Sequence, residues 1–215
     1  HPNQPKLNAT PIPNYPGQVI HIDIFSTDKK LVLTAIDKFS KYAQTKILQG
    51  KSIEDIRRPL RDILFFYGVP KTVVMDNEKS LNSATILFMM KDELGIEVFT
   101  TPPYKSEANG QIERFHSTLA EILRCLKDEG ICRNFEELLE RSVNEYNHSI
   151  HSTIGRKPVD MFFGRTVDFS PGSYERTREN NITMLKKKQE KDLNYHNKDK
   201  KDVKQYIPGQ EIFVR

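Results

Sequence analysis

VIHIDIF, residues 19–25, is the stretch on which the fold turns. Ile20, Ile22 and Ile24 fall on one face of an extended chain, and Val19, His21, Asp23 and Phe25 on the other. A strand with a wholly aliphatic face must lie on a core. Its second face carries an aspartate, a residue depleted inside strands. Outward from it, LVLTAID (31–37) and the stretch 42–48 read as two more strands, joined by short turns into an antiparallel meander. Ile53, Ile56, Leu60, Ile63 and Leu64 then recur at helical spacing behind Ser52, which predicts an N-capped helix over 53–67, stopped by Gly68-Val69-Pro70. Thr72–Met75 reads as a short buried strand ending on Asp76-Asn77. Residues 80–94 predict a helix with Gly95 as its C-cap, and 96–100 a second buried strand. Three antiparallel strands followed by two βα crossovers give an α/β fold, a mixed five-stranded sheet with helices on both faces.

The next stretch, TTPPYKSEANGQIERFHSTL (100–119), passes from a Pro-Pro loop through Asn109-Gly110 into an amphipathic helix. Ile112, Phe115, Leu119, Ile122, Leu123 and Leu126 form its apolar stripe, and Asn109 and Glu113, four apart, share a line at the stripe's edge. A second amphipathic helix covers 134–146, a loop 147–158, and a short turn 159–163 closed by Gly164. From 174 to about 197 the pattern predicts a long, weakly apolar helix that lacks a clear buried face and is expected to bridge or dock on a partner. The expected organisation is a Pro-rich arm over 1–18, a core over 19–165, a basic helical extension over 166–205, and at 206–215 the first strand of a truncated small β domain. A start on a linker implies a fragment of something longer.

Composition narrows the partners. Lys and Arg number 33 against 29 Asp and Glu, a net charge of +4, and the excess is concentrated in 186–204, with Lys186, Lys187 and Lys188 at its head. That run points to an anionic partner. No apolar run approaches the ~18 residues of a membrane span, and no signal peptide is visible, so the chain reads as intracellular with no membrane partner. Cys125 and Cys132, with His148 and His151, do not match zinc-finger spacing, and no zinc is expected. Cys125 is expected to pack beside the helix stripe.

Three acidic residues remain: Asp23 inside the first strand, Asp76 at the carboxyl end of the fourth, and Glu113 one turn into a helix. Residues at strand ends can meet where a sheet's topology switches. Carboxylates gathered there would repel one another unless a divalent cation joined them, and hard oxygen donors select Mg²⁺ or Mn²⁺. Two ions about 3.5–4 Å apart would serve in-line phosphodiester chemistry.

HIDIF around Asp23, AIDKFSKYA (35–43), YGVPKTVVMDN (67–77) and TPPYKSEANGQIERFHSTL (101–119) resemble the integrase core of long-terminal-repeat retroelements, above all the Ty3/gypsy type. YNHSIHSTIGRKPVDMFFG (146–164) is similar to the segment that follows this core. The resemblance implies a ribonuclease-H-like fold with Asp23, Asp76 and Glu113 as catalytic metal ligands, and 3′-end processing and strand transfer of element DNA into target DNA. It implies DNA contacts at Tyr104, Lys105, Asn109 and Gln111, a multimer of at least two copies, a possible chromatin-associated host factor, and action in the nucleus. It also implies a His2Cys2 zinc domain before the chain and an SH3-like domain from Tyr206. Two features depart from the pattern. Glu113 lies 37 positions after Asp76, one more than is commonest, and Asn77 is followed by Glu78 where many relatives have glycine. A related nuclease, and a non-catalytic or host-adopted copy that binds DNA or assembles oligomers, stand as alternatives.

Overall fold

The structure, a computed structural model, describes residues 12–101, 110–130, 132–164 and 173–198. Five strands form one sheet: β1 (Val19–Thr27), β2 (Lys30–Asp37), β3 (Ala43–Leu48), β4 (Thr72–Met75) and β5 (Glu97–Thr100). Their order is β3-β2-β1-β4-β5, antiparallel across the first three and parallel from β1 to β4 to β5. The hairpin between β1 and β2 turns on Asp28 and Lys29, both left-handed, as a two-residue turn matched to strand twist requires. This is the mixed five-stranded sheet that the alternation predicts.

One face of the sheet carries Ile20, Ile22, Leu33, Ala35, Val73 and Met75, all essentially inaccessible. They pack on α1 (Ile53–Phe66) and α2 (Ala84–Phe88), and Ser52 caps α1 by accepting from the Asp55 N–H. The other face carries Val32 and Ile36 beneath α3 (Gly110–Asp128) and α4 (Phe135–His148). Ile112, Phe115, Leu119 and Leu123 are buried as the stripe predicts. Asn147, near the end of α4, pairs with an open strand edge. Its Nδ2 donates to Ala43 O and its Oδ1 accepts from Ala43 N, both at 2.9 Å, so a side-chain amide stands in for the missing sixth strand.

Four expectations need correction. The strand over 96–100 is not buried. It is the sheet's edge, with only Val98 packed inward and Phe99 59% exposed, because among the described residues no sixth strand or helix covers its outer side. The helix over 80–94 begins only at Ala84 and passes into a π-turn at Met89–Glu93 before Gly95 turns left-handed. Cys125 faces solvent, on the side of α3 away from its stripe. The long helix, α6 (Ser173–Asn197), has a buried spot after all. Leu185 packs with Phe39, Ile154 and Met161, the last on α5 (Pro158–Phe162), and Asn181 Nδ2 donates to Phe39 O at 3.2 Å. It therefore docks on its own chain, through two residues too few to give the sequence an apolar stripe.

Gly17, before β1, is required by geometry. Its φ is +81°, a side-chain Cβ would sit 2.7 Å from Tyr67 O, and its N–H donates to the buried Asp37 Oδ1. Among the described residues no helix is long and apolar enough to cross a membrane. Asn147→Ala should destabilise the fold by on the order of 2–4 kcal/mol, because it strands a buried N–H and a buried carbonyl on Ala43. Urea unfolding monitored by circular dichroism measures it, and a loss below about 0.5 kcal/mol would contradict the pairing.

Candidate active site

The parallel ladder between β1 and β4 pairs Ile22 with Met75. One step further along both chains brings Asp23 beside Asp76, on strands about 4.8 Å apart. Because Ile22 and Met75 point into the core, alternation turns both aspartates to the α3 face. Glu113, in the first turn of α3, joins them from above. Ile112 and Phe115 pin that turn to the sheet, and Glu113 itself stays exposed between them.

The electrostatics place Asp23 within reach of Asp76, Glu78 and Glu113. Burial pushes Asp23 up to about 6 from an ordinary 3.8, and the negative charges of Asp76, Glu78 and Glu113 push in the same direction; one hydrogen bond, from the Ile24 N–H to Oδ1 at 2.7 Å, opposes them. No Lys or Arg among the described residues pairs with Asp23 or Asp76. Asp76 Oδ1 accepts from the Glu78 N–H at 2.9 Å, and Asn82 Nδ2 donates to Asp76 O, which stitches the turn after β4. Glu78 is diverted: Lys51 Nζ lies 3.1 Å from its Oε2, Ser80 donates to its Oε1, and the Lys51 bond holds its carboxyl below the usual range.

The sequence gives no signal for what supports Asp23 from behind. Thr34, its partner across β1 and β2, donates its hydroxyl to Asp23 O at 3.0 Å and meets His116 Nε2 at 2.7 Å. The single Thr34 proton is thereby committed, so Nε2 must carry the imidazole hydrogen and Nδ1 a lone pair. Nδ1 lies 3.8 Å from Asp23 Oδ2. Burial holds the His116 ring down to about 4, so it is neutral at pH 7 and the contact is not an ion pair. Phe25 stacks on the ring at 4.5 Å and fixes its plane.

Asp23 and Asp76 are thus brought together and Glu113 within electrostatic reach, while Tyr104, Lys105 and Asn109 lie outside the described residues. Gln111 turns inward: Nε2 donates to Asp37 O at 3.2 Å and Oε1 accepts from the buried Lys41 Nζ at 2.8 Å. Burial lowers Lys41 to about 7, and a neutral amine suits its two donations, to Gln111 and to Lys38 O. Lys186, Lys187 and Lys188 are exposed on α6, Lys188 paired with Asp192 at 3.0 Å. In donor chemistry the carboxylates fit a hard divalent ion, being oxygen ligands without a cation of their own. Among the described residues, however, no three of them are drawn closely enough to hold one.

This sheet order, with carboxylates on β1, after β4 and on the following helix, is a ribonuclease-H-like arrangement. It is similar to the crystal structure of the catalytic core domain of BIV integrase, with a TM-score of 0.60 and 18% identity over 69% of this chain and 95% of that one. It is also similar to a chain of the simian T-cell lymphotropic virus intasome solved with the PP2A regulatory subunit B56 gamma, with a TM-score of 0.67 and 16% identity over 80% of this chain and 63% of that one. The fold is that of the retroviral integrase catalytic cores. In sequence, the chain's homologues are Ty3/gypsy-type Pol polyproteins. It is 43% identical over its whole length to the retrovirus-related Pol polyprotein from transposon opus, and 41% to that from transposon gypsy, both of Drosophila melanogaster. It spans about a fifth of the length of those relatives, 22% and 20%. No family model matches.

The raised Asp23 carries a testable sign. Below about pH 4 the folded and unfolded chains both hold its proton. Between about 4 and 6 the unfolded chain releases it while the fold retains it, so stability falls as pH rises and is fully lost above the folded pKa of about 6. Asp23→Asn removes that loss. In metal-free buffer, its stability relative to wild type should improve by about 2 kcal/mol from pH 4 to pH 7 and then level off. Urea midpoints across that range check it, and a difference independent of pH would contradict the uncompensated carboxylate.

Proposed function

We propose that this chain is the catalytic core of a retroelement integrase, a Mg²⁺- or Mn²⁺-dependent polynucleotidyl transferase that trims the 3′ ends of element DNA and joins them to target DNA. The observation that carries this reading is the placement of Asp23 beside Asp76 on adjacent parallel strands, with no Lys or Arg among the described residues paired to either. The relationship to the Ty3/gypsy Pol polyproteins supports it, as does the integrase-core fold.

In this reading Asp23, Asp76 and Glu113 would hold two divalent ions. When bound, such ions activate the attacking oxygen and stabilise the leaving oxygen of a phosphodiester. The protein's own part is positioning. The β1–β4 ladder fixes two carboxylates at a set spacing, and α3 brings the third on a rigid helix seated by Phe115. Thr34, backed by His116, holds the Asp23 backbone from the rear, and Lys51 draws Glu78 to itself. Glu113 would supply the third carboxylate to the ions that the two aspartates hold. Tyr104, Lys105 and Asn109 would border the reacting strand, with Lys186, Lys187 and Lys188 on its backbone, while Gln111, its amide committed to Asp37 O and Lys41, would reach DNA only by giving up those bonds. Paired DNA ends would need at least two copies of the chain, and nuclear action follows from the substrate.

A non-catalytic, DNA-binding copy is the competing reading, and one variant separates the two. Asp76→Asn should lower joining of labelled duplex ends in Mg²⁺ or Mn²⁺ by more than about 100-fold, while duplex binding in EDTA is unchanged. Mn²⁺ should raise the melting temperature of the wild type and not that of the variant. Joining by the variant at the wild-type rate would refute the catalytic assignment. A wild type that binds duplex but joins nothing would favour the competitor.

A further inference from the structure

Away from the carboxylates, a cleft of about 410 Å³ opens between α6 and the turn that follows α4. Its walls include Ile154, Gly155 and Arg156 on the turn, and Asn180, Thr183 and Lys187 on one stripe of the helix. No carboxylate lines it. Arg156 and Lys187 face it from opposite walls, and neither makes an ion pair among the described residues, in contrast to Lys188 with Asp192. Lys191, four residues beyond Lys187, continues the basic line along the helix.

The cleft is held open by the fold rather than by chance rotamers. The turn is closed by the His151 N–H to Arg156 O at 2.9 Å, and Gly155 is left-handed, with a Cβ position only 3.1 Å from Met184 Cε. The helix is fixed to the core by Leu185 and by the Asn181 amide on Phe39 O. Phe39 follows the end of β2, level with the start of β1, because Lys38 N–H donates to Val19 O. The anchoring point therefore lies toward the opposite end of β1 from Asp76. From Val19 to Asp23 along the strand is on the order of 13 Å.

We propose that this cleft seats the phosphodiester backbone of duplex DNA, with Arg156 and Lys187 gripping it from two sides and Asn180 donating from the helix. The proposal rests on the integrase reading and adds a contact remote from the reacting phosphate. Arginine's planar fork suits a phosphate oxygen pair, and lysine supplies a point charge opposite it. The contact would position DNA without reading sequence.

The test uses the full chain in EDTA with labelled random-sequence duplex, and reads the slope of log affinity against log salt. Arg156→Ala and Lys187→Ala should each reduce the slope by about 1, and the double variant by about 2. Lys127→Ala, whose charge is paired with Asp28 on the far side of the molecule, should leave it unchanged. Arg156→Lys should restore most of the slope lost in Arg156→Ala, which a merely structural role for the arginine would not do. Matching circular dichroism melts exclude unfolding, and Lys187 is on an exposed helix face in any case. Slopes for Arg156→Ala and Lys187→Ala equal to wild type, in a protein that binds and joins DNA ends, overturn the cleft and leave the integrase reading standing. A wild type that does not bind duplex overturns both.

Discussion

Everything at the site depends on one parallel ladder. The four pairings from Val19 with Thr72 to Ile22 with Met75 set two strands in a register that cannot slip by a single residue. A one-residue slip of β4 would carry Val73 and Met75 out of the core and Asp76 into it. The aliphatic face thus selects the register, and the register delivers the aspartates. Magnitudes agree with that order of cause. Full burial of Ile20, Ile22, Val73 and Met75 contributes about 1.5–3 kcal/mol each, against about 2–3 kcal/mol for holding Asp23 ionised in its half-buried place. The core face sustains an unfavourable charge on the other side of the same strands.

The surroundings of that charge are built to hold the backbone without neutralising the carboxylate. Thr34 donates to the Asp23 carbonyl and is itself held by His116, the ring is kept neutral by burial, and the basic side chains nearby are directed elsewhere. Lys51 goes to Glu78, and Lys41 goes to Gln111 and Lys38 O. A lysine on Asp23 would have stabilised the free protein and closed the site to a metal. The distribution of cations is therefore informative: among the described residues Glu78 has a lysine partner, while the two aspartates that the sheet sets side by side have none.

Legibility followed the range of the signal. The alternation in VIHIDIF, the Ser52 cap and the stripe from Ile112 to Leu123 are local periodicities, and each reappears as the expected element. Asp23 was visible because it breaks a strand's local preference. What could not be read are consequences of pairing order and of single long-range hydrogen bonds. The apolar composition of β5 is that of an interior strand, and only its place in the sheet makes it an edge. Thr34 and His116 meet across the sheet–helix interface, and Asn147 reaches Ala43 from another layer, with nothing in either neighbourhood to announce the contact. For α6, two inward residues in 25 fall below any periodic signal, yet they are enough to dock it.

That docking bears on what kind of ligand the surface can take. The aspartates and the basic cleft, neither with an ion-pair partner among the described residues, are separated by about half the length of β1. A small anion could fill the cleft and a metal could meet the carboxylates, but neither would join them. A polyanion would: its backbone phosphates would satisfy Arg156 and Lys187 at one point while another phosphate, carried with its own cations, reached the acidic pair. Rigidity then matters as much as charge. A duplex seated at the remote cleft presents the rest of its backbone in a fixed direction, so each contact lowers the ordering cost of the other.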